Sequence, residues 1–132
     1  MTATDGTTDW RMFREFAAVD LTRSFVLSCA IDGETLLIDV DLYLQPEHPF
    51  YEEPRPAQRA CIRPAVIAFP YCEAIRSGRN EETKDLAAAA VEIGHGVIKG
   101  LRRLADGQYE ISGDFGVVLI ESERPILRIA GP

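Results

Sequence analysis

Apolar and polar positions alternate with a period of two on both sides of Asp32-Gly33, from Ser24 to Asp32 and from Glu34 to Asp41. That period puts successive side chains on opposite faces of a strand. A two-residue Asp-Gly loop favours a type I′ turn, because both residues tolerate positive φ. Closing the hairpin there sets Ile31 opposite Glu34, Cys29 opposite Leu36, Leu27 opposite Ile38 and Phe25 opposite Val40. Ser24 then faces Asp41 and Val26 faces Asp39 on the other side. Turn chemistry and hydrophobic pattern select the same register independently.

Asp106-Gly107 repeats the device, placing Leu104 opposite Tyr109 and Arg103 opposite Glu110. In that register Arg102 falls among apolar neighbours beside Ile111, an inconsistency of the pattern. The pattern predicts further strands over Phe115 to Ile120, over Ile126 to Ile129, and over Cys61 to Phe69. Pro64 lacks an N–H and marks the last of these as an edge or bulged strand. Helical signal is sparse. Asp9 can cap a short helix through Phe16 with Trp10, Phe13 and Ala17 on one face. Asn80 can cap a second from Glu81 to Val91, ended by Gly94. Short strands separated by turn signals predict a mainly β fold, an antiparallel β-sandwich or partly open barrel of about six to eight strands with one or two short helices.

Composition narrows the picture without changing it. The 132 residues are 46% hydrophobic and 27% charged, which fits one globular domain. Residues 1–8 read as a disordered tail and 9–132 as a single β-rich domain. The net charge of −7 disfavours nucleic acid and anionic membrane surfaces, and suits a basic protein partner. No apolar run reaches the roughly 18 residues of a membrane span. Cys29, Cys61 and Cys72 form an odd set without CxxC spacing. Along one extended strand, Cys61 and Cys72 would lie ~36 Å apart at ~3.3 Å per residue, beyond disulfide reach. Reduced thiols in a cytoplasmic protein follow.

Candidate chemistry is thin. His48 and His95 are the only histidines, and Asp39 and Asp41 share one strand face. Together they could build a metal or acid/base site, but solvated side chains produce the same pattern. Gly94-His95-Gly96 and the following Lys99-Gly100 match neither dinucleotide nor P-loop spacing. Ser24 and Ser28 belong to a regular strand without a context that would activate a nucleophile. Arg55, Arg59 and Arg63 form a sparse basic stretch suited to pairing with surface acids. No cofactor is implied. A small-ligand barrel is the remaining alternative, and would need polar groups converging on an apolar cavity.

The stretch Gln45 to Arg59 is the exception to the strand-and-turn pattern. Four prolines between Pro46 and Pro56 exclude helix and central strand and favour extended, PPII-like chain. Loops of this length are functional or disordered, and Phe50 and Tyr51 argue for packing. The residues Asp20-Leu21-Thr22-Arg23-Ser24-Phe25-Val26-Leu27-Ser28, Pro46-Glu47-His48-Pro49-Phe50-Tyr51, Cys61 and Gly113-Asp114-Phe115-Gly116 resemble small bacterial single-domain proteins of uncharacterised function. The resemblance implies a β-rich bacterial protein and carries no activity. The functional expectation is a protein-binding or self-associating module, with His48, Phe50, Tyr51, Glu52 and Arg55 as its contact residues. Edge strands at Ile126 to Ile129 and at Pro64 would favour a homodimer.

Overall fold

The computed structural model describes residues 7–54, 56–57, 60–77 and 85–129. Its elements in chain order are β1 (Thr8–Asp9), β2 (Val19–Asp32), β3 (Thr35–Leu44), β4 (Cys61–Phe69), β5 (Ala74–Ser77), α1 (Leu86–Glu92), β6 (Gly96–Arg103), β7 (Tyr109–Gly113), β8 (Gly116–Glu121) and β9 (Ile126–Ile129). The nine strands form one antiparallel sheet of order β5-β8-β7-β6-β2-β3-β4-β9, with β1 added beside β6. The two-residue β1 and the four-residue β5 carry the count above the six to eight strands expected. Thr8, assigned to a tail by its composition, pairs with Arg103.

The sheet curls so that its two halves share a core. Phe69 on β4 lies far from Tyr109 on β7 in strand order, yet their rings are 5.8 Å apart. Phe13 meets the same Tyr109 edge-on at 6.2 Å. The sheet remains open, ending at β5 and β9.

The β2–β3 hairpin departs from the expected register. Its loop is Gly33-Glu34, with Asp32 paired to Thr35, Ile31 to Leu36 and Cys29 to Ile38. Of the two loop residues only Gly33 has positive φ (63°), at the first loop position, where a type II′ turn puts its glycine. The two-residue shift leaves the faces near the tip unchanged, because the side-chain period is also two. Farther out, a bulge at Leu27 reverses them. Ser28 pairs with Asp39 but Val26 with Val40, so Val26 turns inward and Leu27 is 47% exposed. The expected Leu27–Ile38 and Phe25–Val40 pairs are therefore absent. A second break, between Asp20 and Phe25, turns Val19 and Leu21 back into the core.

The β6–β7 hairpin has a three-residue loop, Ala105-Asp106-Gly107, with Leu104 N–H donating to Gln108 O at 2.7 Å. Gly107, at φ 93°, closes it in the left-handed region. Arg102, not Arg103, then pairs with Glu110, its Nε 2.8 Å from the carboxylate. That shift removes the conflict around Arg102, which is exposed.

β4 is not an edge. It lies between β3 and β9, and Pro64 stands one residue outside the β9 pairing, which begins at Ala65↔Ile129. β8 starts at Gly116 and leaves Phe115 in the turn. The helix expected after Asp9 is instead two 3₁₀ turns, Trp10–Met12 and Arg14–Phe16. Their three-residue period buries Trp10, Phe13 and Phe16 and exposes Ala17. Asp85 caps α1 by accepting from Ala87 N–H at 3.0 Å. The cap expected at Asn80 lies outside the described residues. Gly94, at φ 89°, follows the end of the helix as predicted. Cys29, Cys61 and Cys72 are free and buried. No described helix is long and apolar enough to cross a membrane.

Candidate functional site

The loop after β3 is built back onto the sheet, bond by bond. Gln45 N–H donates to Ala18 O at 2.9 Å, His48 N–H to Gln45 O at 2.9 Å, and Tyr51 N–H to His48 O at 3.0 Å. These successive turns satisfy the N–H groups of the non-proline residues in the stretch. His48 Nδ1 accepts from Phe50 N–H at 3.0 Å, and the two rings meet tilted at 5.7 Å. Partial burial lowers the His48 pKa, so its neutral, accepting form is favoured. Arg63 on β4 clamps the far side. Its guanidinium donates to Phe50 O at 3.2 Å and pairs with Glu52 at 2.9 Å, while remaining only 11% exposed. Glu52 N–H also lies 3.5 Å from Cys61 Sγ.

The two aromatic residues have different roles. Tyr51 packs against the core, whereas Phe50 is 38% exposed. Partial desolvation raises the Tyr51 pKa, and the negative charge of Glu53 adds to it. Between this loop and the outer ends of β2 and β3 lies a cleft of roughly 430 Å³, walled by Tyr43, Tyr51, Pro46 and Pro54, with Asp20 and Glu47 at its polar positions. Arg23 crosses one wall. Its guanidinium lies 5.3 Å from the Tyr43 ring centroid and pairs with Asp20 at 3.3 Å. The cleft therefore already holds a cation of its own, Arg23, on the Tyr43 face and the Asp20 carboxylate, and Glu47 is the acid of its lining outside that pair.

Of the expected contact residues, Tyr51 lines the cleft, and His48, Phe50 and Glu52 lie on the same loop outside its lining. Glu52 is engaged by Arg63, and Arg55 is outside the described residues. Tyr43, Asp20, Arg23 and Arg63 complete the site and come from three strands. Only a tertiary contact joins them to the loop. In the sequence, the nearest signal is Tyr43, an aromatic two residues before the proline-rich stretch.

The four residues considered for metal or acid/base chemistry divide between places. His48 belongs to the loop, and His95 stacks on Phe25 with centroids 6.2 Å apart. Phe25 pairs with Asp41, so His95 approaches the sheet face that carries Asp39 and Asp41. Asp39 accepts from Ser28 Oγ at 3.1 Å. Among the described residues, no three His, Cys, Asp or Glu side chains are grouped to hold a metal ion. Ser24, expected in a regular strand, is wholly buried at the second break in β2. It donates to Asp20 O and accepts from Tyr43 N–H, both at 3.0 Å, which is a structural use of the hydroxyl.

A second concavity, of roughly 480 Å³, lies on the outer face of β3, β4 and β9, where Leu27, Pro64 and Val66 are flanked by Asp39 and Arg128. The regular alternation conceals it, because the bulge that turns Leu27 outward has no sequence mark. No protein-family model matches the chain, and neither curated proteins nor solved structures yield a match.

Proposed function

We propose that this chain is a protein-recognition module that receives an extended, basic segment of a partner in the cleft between the 45–54 loop and strands β2 and β3. The observation that carries this reading is the prearranged cleft itself. The loop is held by backbone hydrogen bonds and by Arg63, so little ordering entropy remains to be lost on binding. Tyr51 offers flat apolar area and Glu47 sets the sign of the guest, while Arg23, over Tyr43 and paired with Asp20, is the group a basic guest would displace. The net charge of −7 draws a basic partner from a distance. Three free, buried thiols support a cytoplasmic setting.

Capture from the native host at endogenous level tests the reading. Wild-type chain and the Glu47→Lys/Tyr43→Ser variant are compared side by side, with circular dichroism showing both folded. The module should retain a partner that the variant loses. Identical partners in identical yield would contradict the assignment.

A further inference from the structure

The outer face of β3, β4 and β9 carries a row that matches itself. Asp39 pairs with Val66 and Val66 with Arg128, so the three side chains stand in one register line. Neighbouring strands lie ~4.8 Å apart, which places the backbone positions of an acid and a base at equal distances on either side of an apolar centre. Neither charge belongs to an ion pair among the described residues. Leu27, turned outward by the bulge, and exposed Pro64 extend the apolar floor.

We infer that this groove seats a second copy of the chain, related by a twofold axis that runs along β4 above Val66. Rotation about that axis exchanges the two sides of the row. Asp39 of each copy then faces Arg128 of the other, Val66 meets Val66, and each Leu27 covers the β9 side of the opposite copy. A self-complementary patch is what a twofold dimer requires, and an apolar centre with charges at its border is ordinary interface anatomy. The two charges on this face sum to zero, so it offers no net attraction to a strongly basic guest.

Sedimentation equilibrium across a concentration series tests the inference. Wild-type mass should rise from 14.6 kDa toward twice that value. Asp39→Arg alone and Arg128→Asp alone each place like charges opposite one another, and should weaken association by roughly tenfold or more. An equimolar mixture of the two variants restores opposite charges at both contacts, and should recover the dimer. Should either reversal fail to fold, Leu27→Glu at an exposed position serves instead and should give a monomer. A wild-type monomer at near-millimolar concentration, or a dimer indifferent to these substitutions, would overturn the proposal. So would a mixture that stays monomeric. A monomer whose Leu27 and Val66 resonances shift on adding a medium-chain alkyl carboxylate would give the groove to a small amphipathic ligand instead.

Discussion

Ser24 fills a gap in a ladder. Where β2 breaks step with β3, its hydroxyl bridges Asp20 O and Tyr43 N–H. Replacement by alanine removes both bonds and leaves a buried donor without its partner, which costs about 1–3 kcal/mol. Ser28, exposed and bonded to Asp39, should cost less than about 0.5 kcal/mol on the same change. Urea unfolding of the two alanine variants checks the contrast. The thiols follow from burial as well. Desolvation pushes the Cys29 pKa up to about 12 and that of Cys72 to about 11, so at pH 8 neither supplies appreciable thiolate. Native protein should leave all three buried cysteines unlabelled by a disulfide reagent, and denatured protein should expose three equivalents. Rapid labelling of the native chain would show that the burial is wrong.

Elements show what the sequence makes legible and what it hides. The turns at Gly33 and Gly107 and the strands Cys61–Phe69 and Ile126–Ile129 follow from local chemistry, glycine in one case and alternation in the other. Registers do not follow so directly. A hairpin can close one residue later and keep its faces, as β2 and β3 do near their tip, since the period of two hides an even shift. Bulges are harder still, because Leu27 differs from its neighbours only in the packing around it. The aromatic loop is legible as a loop, but its cleft needs Tyr43, Asp20 and Arg23 from strands that folding brings alongside. The true turn makes a distinct prediction. Gly33→Ala should destabilise by about 1 kcal/mol, because alanine resists positive φ, whereas Asp32→Ala should change little. Equal effects in thermal melts would return the turn to Asp32-Gly33. Within the loop, Tyr51→Ala should cost about 2 kcal/mol or more and Phe50→Ala well under half of that, since only Tyr51 packs on the core.

At the scale of the whole molecule, one sheet folded over itself leaves several concavities among the described residues, and two of them are the proposed sites. One is polar and aromatic, with Asp20, Arg23 and Glu47 beside a loop tied to the sheet, and the other is apolar with one charge of each sign. The first is the proposed site for a foreign chain, and the other for a second copy of the chain. Because net charge and local carboxylates act together at the cleft, partner affinity should fall as salt rises. The most direct measurement is a chemical-shift map of isotope-labelled chain titrated with an extended arginine- and proline-containing peptide. Binding in the proposed place shifts Tyr43, Tyr51, Asp20 and Glu47 together, and Glu47→Lys weakens the effect. Shifts confined to Leu27, Val66 and Arg128, with the cleft residues unmoved, would contradict the assignment of the cleft as the recognition site.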